Sequence, residues 1–320
     1  MSPTGAPRPA VSVAMLVYGH EAFVGEAIES VLAQSFDDWE LVIAEDRSPD
    51  KSYEIAAEYA AQHPDRIRLL PRPEENLGGR RNFARLLQAC RGTFLSQLDG
   101  DDYFTDPARL AVMTEVLESD PDLAWAFHGV EQVDEHGRPN GTRITGDPNA
   151  RYDRFDLLRK CPAASAGVLH RRPERFDLPQ YFWDSPVGDW ALHMMLTGER
   201  AFAYVDRMMA VHRVHGGGIW SQAGAQGHLD IRARGRRAIM NAFDEPPVAF
   251  VESMEFVDRF DLGRVLEREG DSKGALEVYA WCRANLDRAP EGFPKGRLRR
   301  RWLRARVRSL MGGTRSLSGA

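Results

Sequence analysis

The chain has 320 residues, 43% of them hydrophobic and 28% charged, with a formal net charge of −5. That length fits a large α/β domain with an appendage, and the negative balance argues against a general nucleic-acid binder. Three widely spaced cysteines, Cys90, Cys161 and Cys282, show no metal-ligand spacing and read as reduced thiols of a cytosolic protein.

Met1 to Ala10, rich in proline and small residues and without an apolar core, reads as a disordered leader, not a signal peptide. No run approaches the roughly 18 apolar residues of a transmembrane helix, so the protein is expected to be soluble or, at most, to lie on a membrane surface.

Val11 to Val17 is a short apolar, β-branched run, as expected of a strand buried on both faces. Val24, Ala27, Ile28, Val31 and Leu32 then recur at helical spacing. Trp39 to Ala44 predicts a second strand ending at Glu45-Asp46, and Ser48-Pro49-Asp50 offers an N-cap and a first-turn proline for a second helix. A third strand is expected at Ile67 to Leu70 and a helix from about Arg80 to Cys90. Phe94 to Leu98 predicts a fourth strand that runs into Asp99-Gly100-Asp101-Asp102, and Asp106-Pro107 restarts a helix. Repeated strand–helix units mean a doubly wound sheet, in which ligands bind beyond the carboxyl ends of the strands. Both acidic clusters fall at such ends.

From Leu123 to about Val214 the pattern continues the same sheet, with short strands near Ala124–His128, Gly167–His170 and Ala203–Val205 and a helix from Asp189 through Leu192, Met195 and Leu196. Beyond Ser221 the composition turns helical. Phe260 to Pro290 is spaced like one helical hairpin of the tetratricopeptide type. The expected whole is an α/β fold, a doubly wound mixed or parallel sheet flanked by helices, with a C-terminal helical extension. Its boundaries are a leader over 1–10, a donor-binding half over 11–105, an acceptor and catalytic half over 106–222, and an appendage over 223–320.

The cluster Asp99 to Asp102 carries the most chemistry. Carboxylates packed this closely repel one another unless a cation sits among them, and Mg²⁺ or Mn²⁺ takes carboxylate and phosphate oxygens. Gly100 lets the backbone turn and brings the ligands close. A solvated acidic turn that caps the following helix is the competing reading.

These features lie within a longer resemblance. Val11-Ser12-Val13 leads to Tyr18, Gln34-Ser35-Phe36 leads to Glu40-Leu41-Val42-Ile43, and Asp46-Arg47-Ser48-Pro49-Asp50 follows. Then come Asn76-Leu77-Gly78 with Arg81-Asn82, Gly92-Thr93-Phe94 leading to Asp99 through Asp102, Gly188-Asp189-Trp190, and His212-Arg213-Val214-His215-Gly216-Gly217. In that order they resemble glycosyltransferase family 2, of GT-A fold, across about Val11 to Ser221.

The resemblance implies an inverting transfer of a sugar from a nucleoside diphosphate donor to an acceptor hydroxyl on a glycan, a protein or a lipid-linked sugar. It implies a divalent cofactor, Mn²⁺ or Mg²⁺, and no nucleic-acid partner. Asp99, Gly100 and Asp101 match the family's Asp-x-Asp motif, with Asp101 the direct metal ligand and Asp99 beside it. Asp46 matches the acid that contacts the nucleobase, and Leu16 and Tyr18 would lie near that base. Uridine or thymidine is expected, although Glu45 stands where the family often has a second Asp. Arg81 matches a basic residue near the nucleotide, its other reading being a solvated helix charge, as for Arg80 and Arg85.

Asp189 matches the general base, with a helix cap as its other role, and Gly188 departs from the acidic residue often found there. His215, before Gly216 to Gly218, matches a loop near the diphosphate and can ligate metal, whereas His212 reads as structural. Ala163-Ala164-Ser165 and Tyr181-Phe182-Trp183 are candidate acceptor walls. A nucleotidyltransferase would need neither Asp189 nor the His215 loop. A non-catalytic scaffold built on the helical hairpin would bind no nucleotide.

The last segment holds Arg297, Arg299, Arg300, Arg301, Arg304, Arg306 and Arg308 among Leu298, Trp302, Leu303, Val307 and Leu310. Such a basic amphipathic helix suits peripheral contact with an anionic membrane, and a solvated helix docked on the body is the alternative.

Overall fold

The computed structural model describes residues 8–217, 224–241, 243 and 248–312. The chain divides into two units, Met1–Trp183 with Gly188–Ser221 and Asp184–Val187 with Gln222–Ala320.

The first unit is built on one sheet. Strand β1 (Val11–Val17) lies between β2 (Trp39–Glu45) and β4 (Phe94–Asp99), parallel to both, and β3 (Ile67–Leu69) runs parallel to β2. Strand β9 (Val168–Arg171) is antiparallel to both β4 and β6 (Leu123–Val133) and joins the two halves of the sheet. Strand β10 (Ala201–Arg213) continues parallel to β6 and pairs in antiparallel fashion with β5 (Tyr103–Phe104). The order is β3-β2-β1-β4-β9-β6-β10-β5, the mixed sheet expected.

Side chains alternate across each strand, which divides the apolar core in two. Val13, Met15, Leu41 and Ile43 face helix α1 (Val24–Leu32), which buries Val24, Ala27, Ile28 and Val31 against them. Ala14, Val42 and Ala44 face the other way, toward Phe83, Leu86 and Leu87 of α3 (Gly79–Ala89) and Ala191 and Leu192 of α7 (Gly188–Thr197). Each of the Val, Leu, Ile, Met and Phe side chains contributes about 1.5–3 kcal/mol when fully buried.

The amino ends of the strands carry a polar cluster of their own. Glu40 is buried, accepts from Ser12 Oγ at 2.6 Å and pairs with Arg68 at 3.1 Å and Arg91 at 2.8 Å. Its one carboxylate is shared by two guanidiniums, so the cluster holds structure. At the carboxyl ends Glu45 pairs with Arg72, whereas Asp99 has no ion-pair partner among the described residues.

Four sequence expectations change. Residues 8–10 of the expected leader are anchored: Thr93 and Phe94 donate their backbone N–H to the carbonyls of Pro9 and Ala10, and Arg8 donates to the Arg91 carbonyl. The remaining leader residues, 1–7, lie outside the described residues. Helix α2 (Ser52–Gln62) starts four residues later than Ser48, because the Ser48 hydroxyl accepts from Gly19 N instead, and Asp50 accepts from Ser52 N. Strands β6 and β10 extend well past the expected segments; a register shift between Val205 and Met208 interrupts the apolar alternation in β10. Strands β5, β7 (Pro139–Ile144) and β8 (Arg151–Tyr152) and helix α5 (Arg154–Arg159) were not foreseen.

In the second unit, helices Val248–Glu269 and Ser272–Ala284 form a hairpin, its first helix beginning well before the expected Phe260 and its second ending before Pro290. Gly270 turns the chain at φ +86°, and the Asp271 carboxylate accepts from Gly274 N to start the second helix. A Cβ on Gly263 would lie 2.5 Å from the Tyr279 ring, so only glycine lets the pair close. A last helix, Lys295–Gly312, buries Leu298 and Ala305 against this pair; the Leu310 side chain lies outside the described residues. All three cysteines are free thiols. No helix among the described residues is long and apolar enough to cross a membrane.

Candidate functional site

The acidic groups singled out in the sequence converge at the carboxyl ends of β1, β2 and β4. Gly100 N donates to the Leu16 carbonyl at 2.8 Å, which turns the chain sharply after β4. A Cβ on Gly100 would lie 2.9 Å from both His20 Nδ1 and Val17 Cγ2. Gly100→Ala must therefore push His20 away, and urea unfolding is expected to show a loss of about 1–3 kcal/mol. An unchanged midpoint would show that the turn has slack.

Asp101 is the hub. Its Oδ2 lies 3.0 Å from His215 Nε2 and 3.7 Å from His20 Nε2, and the three side chains offer ligand atoms all within 4.8 Å of one another. Burial opposes ionisation of Asp101, but the His215 hydrogen bond and the His20 charge hold its carboxyl below the usual range. The same bond raises the His215 imidazole against the effect of burial. Burial, and then the charges of Asp101 and Asp189, push Asp99 up to about 8. Asp102 is raised for similar reasons and accepts from Arg213 N at 2.9 Å. Such repulsion is what a nearby cation relieves.

The donor set fits a divalent metal. It combines a carboxylate with two imidazoles, and His20 keeps a buried Nδ1 without a hydrogen-bond partner. Asp99 stands beside this group but not in it. His20 was missed in the sequence, although Tyr18-Gly19-His20 directly follows β1, where a ligand is to be expected. Arg213 fastens the His215 loop: its guanidinium is buried, donates to the Asp101 carbonyl and to Glu26, and lies over the Phe23 ring at 4.6 Å. Gly218, the last glycine of the loop motif, lies outside the described residues.

Tyr18 is 53% exposed just past β1, on a loop that Ser48 and Ser52 hold through Gly19 N and His20 N. Asp46 is buried and its Oδ1 accepts from Leu77 N at 2.8 Å, so it also shapes the 76–78 loop. Glu45 pairs with Arg72 at 3.2 Å and accepts from Ser48 N, which gives it a structural task. The Leu16 side chain packs against the second core, so its carbonyl rather than its side chain meets the Asp99–Asp102 turn.

Arg81 is exposed. Arg80 and Arg85, expected to be solvated, are engaged instead. Arg85 donates to the Pro71 and Glu45 carbonyls, while Arg80 lies 4.9 Å over the Phe182 ring with its charge beside Asp189.

Asp189 sits in the first turn of α7, accepting from Ser165 Oγ at 3.2 Å and from Trp190 N at 2.7 Å. His212 is lowered by burial, and the charges of Asp101, Asp189 and His215 all act on it. Its Nδ1 meets the Gln132 side-chain amide at 3.3 Å. Of the candidate acceptor walls, Ser165 touches Asp189 and Trp183 is 42% exposed, whereas Phe182 is fully buried core.

Arg109, which the sequence gave no reason to single out, is fully buried with no carboxylate partner among the described residues. It donates to His128 Nε2, Ser96 Oγ and the carbonyls of Ala166 and Val168, and burial lowers it to about 9. It thus fixes the turn that carries Ser165.

Residues 12–172 match the family described as Glycosyl transferase family 2. A Mycobacterium tuberculosis relative, "Uncharacterized protein Rv1520", is 32% identical over 216 residues, covering 67% of this chain and 61% of its own length. Chondroitin synthase of Escherichia coli is 30% identical over 129 residues, 40% of this chain and 18% of that protein. Among solved structures, S. aureus TarS 1–349 in complex with UDP-GlcNAc is similar at a TM-score of 0.59 and 14% identity, over 96% of this chain and 91% of that one. The mannosyltransferase PcManGT from Pyrobaculum calidifontis, in complex with GDP-Man and Mn²⁺, is similar at 0.55 and 15%, over 88% and 77%. At that identity the likeness shows the fold, the GT-A arrangement of a mixed sheet between helices. With the matched segment spanning half of its residues, the chain belongs to glycosyl transferase family 2.

Proposed function

We propose that the chain is an inverting glycosyltransferase that takes a sugar from a uridine or thymidine diphosphate donor to an acceptor hydroxyl on a glycan, a protein or a lipid-linked sugar. The observation that carries this reading is the convergence of Asp101, His20 and His215 beside Asp99, with the charge of Asp189 acting on the same group. TarS in complex with UDP-GlcNAc and PcManGT in complex with GDP-Man and Mn²⁺ both support a nucleotide-sugar donor, and of the two TarS alone supports uridine.

Residues 11–105 would serve the donor and 106–222 the acceptor and catalysis, with 223–320 as an appendage. Tyr18, beyond β1, offers an exposed ring for the base, and Asp46 has a second carboxylate oxygen for a base N–H. Arg81 is exposed near the same loops and suits the nucleotide's negative charge. Asp101 and His215, with His20 beside them and Asp99 adjoining, would hold Mn²⁺ or Mg²⁺. When bound, such a cation neutralises charge on the leaving diphosphate. Asp189 accepts the acceptor hydroxyl's proton as that oxygen attacks, and Ser165 orients the carboxylate. Free thiols suit a cytoplasmic site of action.

Thermal unfolding with a panel of nucleotide sugars, with and without Mn²⁺, tests the reading. A cognate donor at 100-fold its Kd should stabilise by about 2.7 kcal/mol, and only with metal present. Stabilisation by guanosine donors alone would overturn the choice of base. A flat response to every donor would leave the scaffold reading standing, and a nucleotidyl product would favour the other enzyme class.

A further inference from the structure

We propose that the outward face of helix Lys295–Gly312 is a docking surface for an anionic lipid bilayer. The helix carries eight basic side chains and no acidic one, in a chain of net charge −5. Its inner face is spoken for. Leu298 and Ala305 are buried, Arg301 pairs with Glu267, and Trp302 lies under the guanidinium of Arg283 at 4.0 Å. Trp302 is thus committed to the protein side.

The outer face is different. Leu303 is 45% exposed and Val307 54%, and at a spacing of four residues they stand one above the other. At 100° per residue, Arg299 and Arg306 fall on one side of that pair and Arg300 and Arg304 on the other. All four arginines are exposed. Among the described residues, no carboxylate lies within ion-pair reach of Arg299, Arg300 or Arg304. Arg306 lies over the Trp302 ring at 5.3 Å, which leaves Arg299 on one side of the apolar pair and Arg300 and Arg304 on the other. An apolar stripe between such cations matches the boundary between acyl chains and anionic headgroups. Nucleic acid would use the arginines but has no use for the aliphatic pair.

The test is co-sedimentation of the full chain with vesicles of phosphatidylglycerol and phosphatidylcholine, against phosphatidylcholine alone, at about 0.1 M salt. Binding should require the anionic lipid and weaken as salt rises. A triple variant, Arg299→Gln with Arg300→Gln and Arg304→Gln, should lower the partition by about fivefold for each arginine, roughly 100-fold in all. Leu303→Ser with Val307→Ser should also lower it by at least tenfold while leaving the arginines in place. Both variants change exposed positions, and an unchanged unfolding midpoint shows that each is folded.

Absence of binding to anionic vesicles overturns the proposal. So does full binding by the serine variant, which would mean a purely electrostatic surface suited to nucleic acid or an acidic protein. The inference stands apart from the enzymatic reading, because the variants should keep the stabilisation by nucleotide sugar whatever the vesicles show.

Discussion

Asp189→Asn is expected to bind donor and metal almost normally while turnover falls by roughly 10²–10⁴-fold, the usual contribution of a general base. The substitution separates two roles that one residue can play. The carboxylate accepts from Ser165 Oγ and from Trp190 N in the first turn of α7. An amide oxygen can accept from either donor, and Asn caps helices about as well as Asp. Local structure should therefore survive, and only the capacity to take a proton is lost. Measuring the metal-dependent donor Kd beside kcat decides the matter. Intact binding with lost turnover assigns the base; near-normal turnover removes Asp189 from the chemistry.

Asp101→Asn should act on the opposite side of the reaction. The amide keeps the shape of the side chain and can still accept from His215, but it removes the anionic oxygen that both histidines face. Losing even an outer contact of a metal ligand costs about 10–100-fold in affinity, so losing the ligand itself should cost at least that. Titration of donor nucleotide with and without Mn²⁺ should then show the wild-type chain gaining affinity from the metal and the variant gaining none. A variant that kept wild-type activity and metal dependence would sink the assignment of Asp101.

The two substitutions together show what the sequence could and could not disclose. Strand ends were legible because an apolar run stops where carboxylates begin, as at Leu98-Asp99 and Ala44-Glu45. The partners that complete the site were less so. His20 and His215 stand 195 positions apart, and only the Gly100 turn and the Arg213 anchor bring them to the same carboxylate. Arg109 was illegible for another reason. An arginine in the first turn of an amphipathic helix reads as solvent-facing, and its burial follows from carbonyls supplied nearly 60 residues later. Ser48 is a similar case: its hydroxyl does accept a backbone N–H, but that of Gly19 in the loop after β1, so it caps no helix. Local pattern names the donors and acceptors; tertiary structure chooses which of them meet.

Strand β9 bears on how the chain reaches this fold. It supplies the antiparallel seam between β4 and β6, pairing Phe94 with Arg171 on one side and Trp125 with His170 on the other. During synthesis, β1 to β4 can assemble from local strand–helix units well before residue 168 emerges. Until it does, β4 presents an open edge, and such edges template intermolecular pairing. The passage of the roughly 70 residues between β4 and β9, when half the sheet exists without its seam, is thus an aggregation-prone interval in the life of this chain.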